Sequence, residues 1–149
     1  MSEVKSELAI GLIGCGVVGS QVVRLIQEDS GDFAARSGAK LRIEKIAVRN
    51  VNAKRQGIDR DILTADANLV VNDPEIDIIV ELIGGINPAR ELVLKALENG
   101  KHVVTANKAL IALHGNEIFA KAREKGLMVA FEAAVAGGIP VIKAIREGL

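Results

Sequence analysis

The hexapeptide Gly14-Cys15-Gly16-Val17-Val18-Gly19 has the form G-x-G-x-x-G, and its surroundings constrain the fold more than any other feature of the chain. It follows the apolar run 8–13 (LAIGLI) and leads into a segment where Val18, Val22, Leu25 and Ile26 recur at helical spacing. Alone, the glycines would mark only a flexible turn. Between a strand and a helix they carry chemistry. Gly14 permits a tight turn, Gly16 lets the backbone approach a pyrophosphate with no Cβ in the way, and Gly19 lets the helix pack closely on the strand. The first turn of the helix then offers unpaired N–H groups to the phosphates. The whole loop, Gly14, Cys15, Gly16, Val17, Val18 and Gly19, is therefore read as the phosphate cradle of a dinucleotide site. Cys15 is a small loop residue in this reading, since no general base lies beside it in sequence.

The rest of the chain alternates strand and helix signals. Strands are predicted over 8–13, 41–48, 76–83, 102–105 and 127–131, and helices over 17–26, 87–99 and 116–125, with a last helix opening at Pro140 and burying Ile142, Ile145 and Leu149. In the 87–99 helix Asn87 is placed as the cap, Pro88 at the first helical position and Asn99-Gly100 at the stop. Segment 29–40 reads as a surface connection, 68–71 as a short strand, and 50–66 has no clear period. There is no Trp or Tyr and only 3 Phe, so the core must be built from Val, Ile, Leu and Ala, as in a parallel sheet covered by helices. The expected fold class is α/β: a Rossmann-type, doubly wound, mostly parallel sheet with helices on both faces, in one domain spanning 1–149.

Charge excludes some functions. Lys and Arg balance Asp and Glu at 19 each, so there is no basic excess for a nucleic-acid partner. No apolar run is long enough to span a membrane, and the polar start of the chain does not read as a signal peptide. One cysteine cannot form an internal disulfide and fits a cytoplasmic location. His102 and His114 have no metal-ligand spacing and read as structural.

Cofactor preference turns on the end of the second strand, where an NAD site carries an acid for the ribose 2′-hydroxyl. Here the strand ends Ala47-Val48-Arg49-Asn50. Arg49 would pair with a 2′-phosphate and stack on adenine, which favours NADP with NAD as the alternative. Lys54 and Arg55 follow closely enough to add charge but read as solvated loop cations.

Several stretches resemble one family: GLIGCGVVGSQVV (11–23), IAVRN (46–50), IDIIVELIGG (76–85), ALENGKHVVTANKALIALHG (96–115) and FEAAVAGGIPVIKAIREGL (131–149) are similar to the cofactor domain of homoserine dehydrogenases. Those enzymes reduce aspartate 4-semialdehyde to homoserine with NAD(P)H, on the route to threonine and methionine. The resemblance implies that Gly84, Gly85, Thr105, Ala106, Asn107 and Lys108 lie around the nicotinamide end, with Lys108 assisting the reaction. It further implies a monovalent cation, commonly sodium, held by Glu132, Val135, Gly137 and Ile139, largely through carbonyl oxygens. It also implies that the substrate and dimerisation domain lies outside these 149 residues. The chain is then expected to bind NADP(H) with little or no turnover, the apolar face of Ile142, Ile145 and Leu149 is expected to be partly bare and to favour self-association, and a homo-oligomer is the expected assembly. The alternatives are a stand-alone nucleotide-sensing module and a fragment of another amino-acid or semialdehyde dehydrogenase.

Overall fold

Strand β1 (Glu7–Ile13) is the spine of the domain, and its last five residues are buried. In the computed structural model, which describes residues 5–131, it lies between β2 (Lys40–Ala47) and β4 (Ile78–Glu81) and runs parallel to both. The six strands have the order β3-β2-β1-β4-β5-β6, with β3 at Leu63–Thr64, β5 at His102–Thr105 and β6 at Val129–Ala130. Every pairing is parallel. The order reverses between β1 and β4, which makes this the doubly wound sheet expected from the alternating elements and opens a crevice at their carboxyl ends.

Alternation along the strands builds two cores. Ile13, Ile79 and Val103 face one side, where α3 (Asn68–Val71), α4 (Ala89–Glu98) and α5 (Lys108–Lys125) contribute Val70, Leu97 and Ile118. Leu12, Ile46 and Val80 face the other, against Val23 and Ile26 of α1 (Val17–Glu28). The core is aliphatic, as the composition requires.

Several elements differ from the sequence reading. Segment 29–40 contains α2 (Ser30–Ser37), which buries no residue and so has no apolar stripe to reveal it. Segment 68–71 is a single helical turn, too short for any period to show, and not a strand. Helix α5 begins at Lys108, two turns before 116, because Asn107 caps it by accepting from the Leu110 N–H at 3.1 Å. Pro88 precedes α4 instead of opening it, and no side chain caps that helix. In α1 the inward positions are Gly19, Val23 and Ile26, whereas Val18 and Leu25 are exposed. Segment 50–66 holds a short 3₁₀ turn (Arg60–Ile62) and β3.

A charged network closes the opposite end of the sheet. The ammonium of buried Lys101 donates to the carbonyls of Asp73 and Ile76, Asp73 pairs with Lys45 at 2.7 Å, and Asp77 accepts from the Ala9 N–H. The hydrogen bond from Lys45 holds the Asp73 carboxyl below the usual carboxylate range. A lowered folded pKa stabilises the fold above the unfolded pKa of about 3.9, and that contribution disappears as pH falls through the folded value. Urea denaturation should therefore show Asp73→Asn less stable than the parent near about pH 6, with the gap narrowing near about pH 3. A gap independent of pH would contradict the assignment.

The two histidines contact the protein outside the crevice. His102 Nδ1 accepts from the Met128 N–H at 3.0 Å, and His114 lies 3.8 Å from Glu117. Among the described residues no helix is long and apolar enough to cross a membrane, and no cluster of His, Cys, Asp and Glu can hold a metal.

Candidate functional site

Parallel strands bring their carboxyl ends to one edge, so four loops meet there: 14–16 after β1, 48–55 after β2, 82–88 after β4 and 106–107 after β5. The first three line a cleft of about 520 Å³ over the β1–β4 reversal. Its walls include Gly14, Cys15, Gly16, Arg49, Arg55 and Gly84.

The glycine loop has the geometry its pattern predicts. Gly14 has φ +98°, and its N–H donates to the Ala47 carbonyl at 2.9 Å. A Cβ on Gly19 would lie 2.8 Å from the Gly14 carbonyl oxygen, so only glycine lets α1 sit this close to the loop. A Cβ on Gly16 would meet nothing within 4 Å, so the space beside it is open on the cleft side. Gly16 is the N-cap of α1, with no capping side chain and no acid in the first turn. The N–H groups at this helix start are left to an anion. Val17 and Val18 are exposed at that turn, and Gly19 is buried beneath it. A pyrophosphate fits this donor set.

Arg49 stands exposed just past β2, and no hydrogen bond or ion pair engages its guanidinium among the described residues. Arg55 is a finding the sequence did not favour. It lines the same cleft, with its guanidinium tied to the carbonyls of Asn50 and Ala53 at 2.9 and 3.1 Å. Lys54 is exposed and does not line the cleft. Loop conformation alone separates these two neighbours, and nothing in their spacing does.

On the other side of β1, Gly84 and Gly85 have φ of +71° and +70°. Their role is conformational first, since neither has a neighbour within 4 Å of an added Cβ. Thr105 and Asn107 are buried, and their side chains are engaged by the protein itself. Ala106 is half-buried, and Lys108 is exposed at the first position of α5. These four residues lie at the β5 carboxyl end but do not line the 520 Å³ cleft. The sequence reading missed Glu81, fully buried at the end of β4. The signal was present: an acid inside the apolar run 78–83 (IIVELI). The proposed cation ligands Glu132, Val135, Gly137 and Ile139 lie outside the described residues.

The family model described as the NAD-binding domain of homoserine dehydrogenase matches residues 14–132. The chain belongs to that family. Among its relatives, the homoserine dehydrogenase of Pseudomonas aeruginosa is 59% identical over 140 residues, covering 94% of this chain and 32% of the relative. That of Bacillus subtilis is 40% identical over 143 residues, covering 95% and 33%. Among solved structures, a homoserine dehydrogenase from Thiobacillus denitrificans superposes with a TM-score of 0.89 at 53% identity, covering 97% of this chain and 34% of that one. The chain thus spans about a third of the length of the homoserine dehydrogenases it matches. In this homoserine dehydrogenase domain the matched region includes the glycine loop, Arg49, Arg55, the Gly84-Gly85 turn and Lys108.

Proposed function

We propose that the cleft binds NADP(H), and that in a longer homoserine dehydrogenase this domain presents the cofactor for reduction of aspartate 4-semialdehyde to homoserine, in threonine and methionine synthesis. The carrying observation is the position of Arg49 and Arg55 in the wall of the cleft that also contains the glycine loop. Two guanidinium groups beyond β2, where an NAD site needs an acid, favour a 2′-phosphate. When bound, the nicotinamide supplies or accepts the hydride. The protein's task is to hold the pyrophosphate on α1, the adenosine half over β2 and the nicotinamide half over β4 and β5. Lys108, at the carboxyl end of β5, is the residue of this chain proposed to hold a substrate carboxylate or polarise its carbonyl. A sodium-type cation at Glu132, Val135, Gly137 and Ile139, and a homo-oligomeric, cytoplasmic whole enzyme, belong to the same proposal.

Calorimetric titration with NADPH and NADH tests the cofactor assignment. NADPH is expected to bind more tightly, and equal affinities would remove the arginines from their role. Turnover of aspartate 4-semialdehyde with NADPH by this chain is expected to be slight, because hydride transfer needs the aldehyde fixed against the nicotinamide. Robust loss of NADPH absorbance would overturn that expectation.

A further inference from the structure

We infer that Glu81 is a positioning residue for the nicotinamide half of the cleft, acting through a closed ring of hydrogen bonds that joins the Gly84-Gly85 turn to the start of α5. The inference rests on the dinucleotide reading of the cleft. Glu81 has no exposed surface, and it lies under the site instead of in its wall. One carboxylate oxygen accepts from the N–H groups of Ile83 at 3.0 Å and Gly84 at 3.2 Å. The other accepts from the Thr105 hydroxyl at 2.6 Å. Thr105 Oγ1 in turn accepts from the Asn107 N–H at 3.0 Å, and the Asn107 amide donates to the Gly85 carbonyl at 2.5 Å. The ring therefore runs from β4 through the turn to α5 and back through β5.

A buried carboxylate is costly unless donors surround it, so its presence in an apolar strand needs a reason. Stability alone is a poor one, since apolar residues fill such positions without that cost. The ring holds the turn from both sides. Glu81 grips its N–H groups and Asn107 grips its carbonyl, while Asn107 also caps α5 through Leu110. Two consecutive left-handed glycines have many other conformations open to them, and the ring selects one. That conformation forms the floor beyond β4, on the opposite side of β1 from Arg49, where the second half of a dinucleotide lies. The ring also fixes the start of α5, which carries Lys108.

The test uses this chain and two probes, NADPH and adenosine 2′,5′-bisphosphate, which keeps the 2′-phosphate but lacks the nicotinamide half. Glu81→Gln is nearly isosteric, yet it places an amide N–H₂ where either the hydroxyl or the two N–H groups must donate. Thr105→Val opens the ring at a second point. Each is expected to weaken NADPH roughly tenfold and leave the bisphosphate within about twofold of the parent. Thr105→Ser, which restores the hydroxyl, should recover NADPH binding. Parallel loss of both probes, or unchanged NADPH affinity in both variants, overturns the inference while leaving the cofactor reading standing. Failure of the parent chain to bind either probe overturns both.

Discussion

Replacing Arg49 with aspartate is expected to weaken NADPH binding on the order of 100-fold while changing NADH binding little. Arg49 is exposed in the cleft wall with no protein partner among the described residues, so its guanidinium is available to a ligand. A charge-assisted hydrogen bond contributes about 1.5–3 kcal/mol, and each 1.4 kcal/mol is a factor of ten in affinity. Aspartate removes that contribution and adds repulsion toward the 2′-phosphate, while offering the ribose 2′-hydroxyl of NADH an acceptor. The substitution sits on the surface, so stability should change by less than about 0.5 kcal/mol. Arg55→Ala should lower NADPH affinity less, since that guanidinium is already shared with the carbonyls of Asn50 and Ala53. Titrations of both cofactors into parent and variant decide the matter. An unchanged NADPH-to-NADH ratio in Arg49→Asp would mean that the 2′-phosphate does not reach this side chain.

Gly19→Ala is expected to destabilise the domain by about 1–2 kcal/mol and to weaken NADPH roughly tenfold or more. The sign is not obvious. Alanine in a helix interior is worth about 1 kcal/mol more than glycine, so on an open helix the change would stabilise. At position 19, however, the new Cβ would lie 2.8 Å from the Gly14 carbonyl oxygen, and a backbone atom cannot step aside as a flexible side chain can. Overpacking costs about 1–3 kcal/mol or more, and here it exceeds the propensity gain. Relief comes only by lifting α1 away from the glycine loop, which displaces the N–H groups proposed to hold the pyrophosphate. Gly31→Ala is the contrast. Within α2 an added Cβ meets nothing within 4 Å, so stability should rise by up to about 1 kcal/mol. At about 2–4 °C per kcal/mol for a domain of this size, thermal melts should move in opposite directions for the two variants. Melts that rise together would remove the steric argument for Gly19.

What the sequence determined by itself was whatever depends on near neighbours along the chain. The strand-glycine-helix order around Gly14, Gly16 and Gly19 specified the fold class and the geometry of the loop proposed to cradle the phosphates, because backbone freedom and helix start are local properties. The place of Arg49 in the cleft wall was legible because the end of β2 is a defined position in such a fold, and its residue can be read off directly. Helix α2 was hidden because it buries nothing, and the early start of α5 because its cap is one asparagine in an otherwise unremarkable turn.

Tertiary structure alone decided the rest. Arg55 joins the cleft, and Lys54 does not, through the path of a loop with no period to predict it. The Glu81 ring exists because β4 and β5 pair in parallel with Glu81 opposite Thr105, a register that aligns residues 24 apart. A buried acid in an apolar strand announces that partners exist. Which partners they are is a property of strand register, and register is settled only when the whole hydrophobic core closes around it.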